Sequence, residues 1–261
     1  MPTILDRFSL KGKVILLTGG SGLYGRGLAA DLAEAGAELV IASRNKEACE
    51  KVAAEEQARG YRACAARLDQ GDESSVIALR DGILDRFGCV DGVVNNSAAR
   101  PMVGPEERAS EQFAESMRVN ATGLYLMHRY FGDVMARSGS GSIVNIGSIQ
   151  GHVGPSLSLY EGLSMPPPPP DYFFHKGGML NLARYYAGVL GPRGVRVNCV
   201  SPGGFQAAQA PGFVRRYAAQ TMLGRMGNRT DLGGAVVFLL SDASSYITGT
   251  SLAVDGGYLA K

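Results

Sequence analysis

Residues 14 to 27 read "VILLTGGSGLYGRG": an apolar run, a glycine-spaced turn, and the start of a helical pattern that continues to Gly36. Consecutive apolar residues with no polar alternation suit a short strand covered on both faces. The helix that follows, "LYGRGLAADLAEAG", stops at a glycine, the residue best suited to a helix C-terminus. Glycines between a strand and a helix let backbone N–H groups approach a pyrophosphate, and the helix N-terminus attracts the same charge. Tight turns use glycine for steric reasons in any α/β protein. The weight of the motif therefore comes from its place in the first strand–helix unit.

Outward from that unit the pattern repeats. "ELVIASR" (38–44), "YRACAARLD" (61–69), "VDGVVNNSA" (90–98), "GSIVNIGS" (141–148), "VRVNCVSPGG" (195–204) and "SLAVDGG" (251–257) read as further strands. Helical patterns separate them, over Lys46 to about Arg59, 73–88, Glu106 to Arg137, 171–191 with Asp171 as N-cap, and around "DLGGAVVFLLS". Strands alternating with helices imply a parallel sheet covered on both faces. The expectation is a single-domain α/β Rossmann fold over residues 1–261, a doubly wound parallel sheet of about seven strands.

Composition narrows the class. Hydrophobic residues make up 45% and charged residues 19%, ordinary for a globular chain, and the net charge of +2 with no dense Lys/Arg run argues against nucleic acid. No apolar run is long enough to span a membrane, and the first residues do not read as a signal peptide. Cys49, Cys64, Cys89 and Cys199 are spread without a CxxC pair, which suits reduced thiols and a cytoplasmic protein. No His/Cys/carboxylate cluster suggests a metal. His128 fits a helix surface, His175 points away from the face of Lys176, and His152 follows Ser148 closely enough to meet a substrate, although an isolated histidine is more often structural.

The end of the second strand selects the dinucleotide. NAD sites place a carboxylate there for the ribose hydroxyls, and NADP sites place an arginine near the 2′-phosphate. "IASRN" offers Ser43 and Arg44 and no acid, which favours NADP(H) over NAD(H). Farther on, Tyr172 and Lys176 stand four residues apart in a helical pattern, on one face and about 6 Å apart along the axis. An ammonium so placed stabilises a phenolate and eases proton exchange.

Together these motifs identify a resemblance. Thr18–Gly27, "NNSA" (95–98), Asn120, Ser148, Tyr172–Lys176 and "SPGG" (201–204) fall in the order seen in the short-chain dehydrogenase/reductases, and the resemblance runs on to "SSYITGTSLAVDGG". It implies a catalytic set of Asn120, Ser148, Tyr172 and Lys176. Tyr172 would be the general acid in reduction and the base in oxidation. Lys176 would bind the nicotinamide ribose and tune Tyr172, Ser148 would polarise the substrate oxygen, and Asn120 would hold a water of the proton relay. For the cofactor it implies Gly19, Ser21, Gly22, Leu23, Tyr24 and Gly25 in the turn, Ser43 and Arg44 at the 2′-phosphate, and Leu68 and Asp69 at the adenine. Asn96, Ser97 and Ala98 would border the cofactor loop, with Asn95 helping Asn96 tie that loop to the fourth strand. Pro202, Gly203, Gly204 and Phe205 would border the nicotinamide. The family also implies a homo-oligomer, tetramer or dimer.

Three departures stand out. Leu23 occupies a position where short-chain members usually carry glycine, and Ala207 stands where a threonine is usual. Tyr172 lies 24 residues after Ser148, about twice the usual gap, and the added stretch contains the five prolines Pro166 to Pro170. Tyr160 sits near the usual spacing, but the residue four positions on is Ser164, not lysine, so Tyr172 is the better candidate. The extra segment, about residues 151–171, reads as a proline-stiffened insertion on the substrate side. Leu157, Leu159, Tyr160, Leu163 and Met165 are its candidate pocket wall.

The resulting expectation is an NAD(P)-dependent oxidoreductase moving hydride between nicotinamide and a carbonyl or secondary alcohol of a sugar, sugar acid or keto compound. Two alternatives remain: an NAD-linked polyol or sugar-acid dehydrogenase, and a dinucleotide-binding sensor or scaffold that has lost turnover. The complete Asn–Ser–Tyr–Lys set weighs against the last, because a sensor needs no proton donor.

Overall fold

The computed structural model of the protein describes residues 3–102 and 108–261. Seven strands form one parallel sheet in the order β3-β2-β1-β4-β5-β6-β7. They are β1 (Val14–Thr18), β2 (Glu38–Ser43), β3 (Ala63–Arg67), β4 (Gly92–Asn95), β5 (Gly141–Ile146), β6 (Val195–Pro202) and β7 (Ser251–Val254). The chain starts in the middle, builds outward to β3, then returns past β1 to build the other half. That reversal leaves a crevice at the carboxyl ends of β1 and β4, where ligands of open α/β sheets bind.

Strand periodicity sorts the core into two layers. Val14 and Leu16 of β1 face one side with Val40, Val93, Ile143 and Val197. Ile15 and Leu17 face the other with Leu39, Ile41, Val94 and Val144. The first layer is covered by α3 (Glu73–Phe87), α5 (Gly123–Ser138) and α6 (Pro170–Leu190), and the second by α1 (Leu23–Glu34), α2 (Lys46–Ala58) and α8 (Gly233–Leu240). Asn45 caps α2 by accepting from the Ala48 N–H, and Asp72 caps α3 by accepting from the Ser74 N–H.

The structure revises several local expectations. The long helical pattern after β4 divides into α4 (Ala109–Met117), a π-helical turn (Arg118–Thr122) and α5; its start at Glu106 lies outside the described residues. Asp171 does not cap α6. Pro169 is the N-cap and Pro170 opens the helix, where a missing N–H costs nothing, so Asp171 falls inside the first turn and is 1% exposed. His128 is fully buried rather than on a surface. One ring nitrogen meets the Leu124 carbonyl at 2.8 Å and the other the Asn145 amide at 3.2 Å, and the ring stacks on Tyr186. His152 bonds the hydroxyls of Ser201 and Ser251, both at 3.1 Å.

The segment from Gly151 to Pro169 forms a satellite core together with α7 (Pro211–Ala218), a helix the sequence pattern did not disclose. Leu159 is buried with Ile149, Phe213, Tyr217 and Met226, and Tyr160, Leu163 and Met165 pack around them. Arg216 of α7 donates to the carbonyls of Ser158, Leu159 and Glu161. Leu157 is 59% exposed, and none of the five expected wall residues lines the cleft described next. Leu159, Tyr160, Leu163 and Met165 pack in the cluster with α7 instead.

Candidate active site

A cleft of about 400 Å³ crosses the carboxyl ends of β3, β2, β1, β4 and β5 in that order. Leu68 and Asp69 line it after β3, Ser43 and Arg44 at the end of β2, and Gly19, Ser21, Gly22, Leu23 and Tyr24 after β1. Asn96, Ser97 and Ala98 follow β4, and Tyr172 and Lys176 reach in from α6. Gln70, Ala99, Arg100, Val119, Ile146 and Gly147 complete the lining. They were absent from the sequence reading. Ala99 and Arg100 directly continue the "NNSA" run, which was the available signal.

The glycine turn has a steric basis. Gly19 takes φ +66°, which side chains disfavour, and a Cβ on Gly25 would come within 2.6 Å of the Gly20 Cα. Gly25 thus lies under the turn rather than in the cleft, allowing the start of α1 to close on it. Thr18 and Asn96 tie this turn to β4. The Thr18 hydroxyl accepts from the N–H groups of Asn96 and Ser97, both at 3.0 Å, and the Asn96 amide donates to the carbonyls of Thr18 and Gly19 at 3.1 and 3.0 Å. Asn95 makes a different link, donating to Asn145 of β5 at 2.8 Å.

Arg44 is exposed and makes no ion pair among the described residues. Its guanidinium and the backbone cradle of the glycine turn fit the anionic half of a nicotinamide dinucleotide. At the other end Lys176 is 5% exposed; its ammonium donates to the Ile146 carbonyl at 2.6 Å and lies 5.8 Å from the centre of the Tyr172 ring. Burial pushes the Lys176 pKa down to about 8, with the Arg100 charge acting in the same direction. The Arg100 guanidinium sits over the Tyr172 ring, 5.2 Å from its centre.

Ser148 ends the β5 loop, buried, with its hydroxyl oxygen accepting from the Gln150 N–H at 3.1 Å. The turn after it packs on α6 so closely that a Cβ on Gly151 would come within 2.7 Å of the Lys176 carbonyl oxygen. Asn120 lies in the π-helical turn, its amide donating to the Ala99 carbonyl at 2.8 Å and accepting from the Ala99 N–H at 2.9 Å. Pro202 ends β6, and Gly203 and Gly204 line a neighbouring cavity of about 470 Å³ bordered by Asp255 and Gly257. Phe205 is buried, edge-on to Tyr24 with ring centres 5.0 Å apart. Of the histidines, His175 is 3% exposed and packs edge-on against Tyr172. Among the described residues no His/Cys/Asp/Glu group could hold a metal, and no helix is long and apolar enough to cross a membrane.

A doubly wound sheet with a glycine turn, and a tyrosine and lysine at the same crevice, defines a nicotinamide-dinucleotide oxidoreductase. A family model described as enoyl-(acyl carrier protein) reductase matches residues 22–259. The chain is 36% identical to 2,5-dichloro-2,5-cyclohexadiene-1,4-diol dehydrogenase of Sphingobium indicum, covering 96% of this chain and 98% of that one. It is 32% identical to NADP-dependent mannitol dehydrogenase of Hypocrea jecorina, covering 99% and 96%. A gluconate 5-dehydrogenase from Burkholderia cenocepacia, solved with NADP and tartrate, superposes with a TM-score of 0.87 at 30% identity, covering 99% of this chain and 100% of that one. The chain belongs to the short-chain dehydrogenase/reductase family and is an NAD(P)-dependent oxidoreductase acting between a carbonyl and a secondary alcohol.

Proposed function

We propose that the enzyme prefers NADP(H) and uses Tyr172 as its proton donor and acceptor, on a polyhydroxylated or keto substrate, with a sugar acid favoured. The observation carrying this reading is the layout of one cleft: Arg44 at one end, and Tyr172, Lys176 and Arg100 at the other. Ser43 and Arg44 would hold the 2′-phosphate, the Gly19–Tyr24 turn the pyrophosphate, Leu68 and Asp69 the adenine, and Lys176 the nicotinamide ribose. Asn96, Ser97 and Ala98 would support the middle, with Pro202, Gly203, Gly204 and Phe205 beyond. The bound nicotinamide supplies the carbon that gives or takes hydride.

The chain's own residues handle the proton. In reduction Tyr172 gives its phenolic proton to the substrate oxygen, and in oxidation it takes the alcohol's proton. The Ser148 hydroxyl donates to the same oxygen and polarises it. Lys176, buried and cationic, stabilises the phenolate phase of the cycle. The Asn120 amide is committed to Ala99 and Ser116, so its part is to hold the loop beside Tyr172. Arg100, exposed and without an ion pair among the described residues, offers a carboxylate a partner at the reacting end. This favours sugar acids over uncharged polyols, the class suggested by the gluconate 5-dehydrogenase.

The test is steady-state kinetics with NADP+ and NAD+ on matched acids and polyols, followed by nicotinamide absorbance. Gluconate should have the higher kcat/KM, and Arg100→Ala should erase that advantage; equal kcat/KM for gluconate and mannitol in the unaltered enzyme would reject the acid preference. The exposed Tyr125, Tyr185 and Val189 of α5 and α6 support a homo-oligomer, which light scattering measures.

A further inference from the structure

Asp171 is a buried carboxylate that the mechanism above does not use. It immediately precedes Tyr172, is 1% exposed, and its Oδ2 accepts from the Ser116 hydroxyl at 2.5 Å. Among the described residues its Oδ1 has no hydrogen-bond partner, and neither ring nitrogen of His175, one helical turn on, has one. A desolvated carboxylate held by a single hydroxyl is a costly arrangement that packing alone does not explain.

The bonds leading away from it make a circuit. Ser116, fully buried on α4, gives its one proton to Asp171, so its oxygen is free to accept from the Asn120 amide at 3.0 Å. Asn120 clamps both backbone groups of Ala99. The next residue, Arg100, lies over the ring of Tyr172, the neighbour of Asp171 in sequence. Rotating the Asn120 amide by half a turn would set its oxygen against the Ser116 oxygen and the Ala99 carbonyl. Ala99 sets which way the Asn120 amide faces, and Ser116, its proton held by Asp171, gives that amide a second acceptor that anchors it to α4.

We propose that Asp171 and Ser116 are positioning residues: acting through Asn120, they set the Ala99–Arg100 loop against Tyr172. The proposal rests on the assignment of Tyr172 as proton donor, which Tyr172→Phe tests separately. Ser116→Ala breaks the circuit at its middle while removing one atom from a buried site. It should lower kcat at least tenfold and raise the KM for gluconate, whose carboxylate Arg100 would meet, with the NADPH Kd changing by less than about twofold, because the Arg44 end of the cleft is untouched. Asp171→Ala should match it, the double variant should lose no more than either single one, and Asp171→Asn, which retains an acceptor for Ser116, should recover most of the loss. Independently of any substrate, amide hydrogen exchange at Ala99 should quicken in Ser116→Ala while β1 and β4 keep their protection. Unchanged exchange at Ala99, an unchanged kcat, or losses that multiply in the double variant would overturn the proposal. If Asp171→Ala fails to fold, the Ser116→Ala exchange result alone decides.

Discussion

Replacing Arg44 by alanine should separate the two nicotinamide dinucleotides. Arg44 is exposed at the end of β2 and has no ion pair among the described residues. Glu115, whose carboxyl feels its charge, is held instead by Arg118 at 2.7 and 2.9 Å. Removing Arg44 therefore orphans no partner, and folding stability should stay within about 0.5 kcal/mol. A hydrogen bond to a charged group contributes about 1.5–3 kcal/mol, so NADPH should bind roughly 10- to 150-fold more weakly. NADH lacks the 2′-phosphate and should move by less than about threefold on the same scale. The assay is a fluorescence titration of both reduced cofactors at several salt concentrations. The unaltered protein should show the steeper salt dependence for NADPH, and the variant should lose the difference. Equal affinities in the unaltered protein, or equal losses for both cofactors in the variant, would refute the reasoning.

Further outcomes follow from other parts of the structure. Tyr172→Phe should abolish turnover with cofactor affinity intact, whereas Tyr160→Phe, whose ring packs on Phe213 away from the cleft, should remain active; steady-state rates of the two variants decide. Gly25→Ala forces backbone of the glycine turn to move, so it should destabilise by about 1–3 kcal/mol in denaturant melts and weaken both dinucleotides alike. Burial pushes the His128 pKa from 6.5 down to about 4. Between those values the unfolded chain binds a proton the folded chain does not, so this contribution is full above the unfolded value and is lost as pH falls toward the folded one. It amounts to about 3 kcal/mol, and His128→Asn should remove that slope from the pH profile of unfolding. Arg216→Ala should expose the 157–165 segment to limited proteolysis while leaving the sheet's melting unchanged.

The sheet was legible because its strands carry unbroken apolar runs. β1 alone, with Val14 and Leu16 on one face and Ile15 and Leu17 on the other, specifies a strand covered twice. The dinucleotide end of the cleft was legible for the same local reason, since Gly19, Ser43 and Arg44 sit at strand ends. What escaped depends on contacts between distant segments. His128 reads as a polar residue on an amphipathic helix, and only Asn145 of β5 gives it a buried partner. Asp171 carries an N-cap signature, but Pro170 opens the helix with Pro169 as its N-cap, two residues early, and the carboxylate turns inward to Ser116. Helix α7 spaces Phe213 and Tyr217 one turn apart on its buried face, but at eight residues it is too short for that stripe to stand out from the loops around it. Arg100 continues the "NNSA" run, but nothing in "SAARP" says that the chain folds back over Tyr172.

The satellite core also links the far end of the chain to this side of the molecule. Tyr258 stacks on Tyr217, whose hydroxyl accepts from the Gly204 N–H just beyond β6, and Leu259 packs in the same cluster. The short turn Tyr258–Ala260 thus serves as a fastener for α7 and adds nothing to the sheet. A purification tag fused after Lys261, or a protease that trims back to Gly257, would leave a well-folded protein with its dinucleotide cleft intact. The damage would fall on the fit of α7 against the 157–165 segment, so a tagged preparation that melts normally and binds nucleotide normally can still have that segment open to protease.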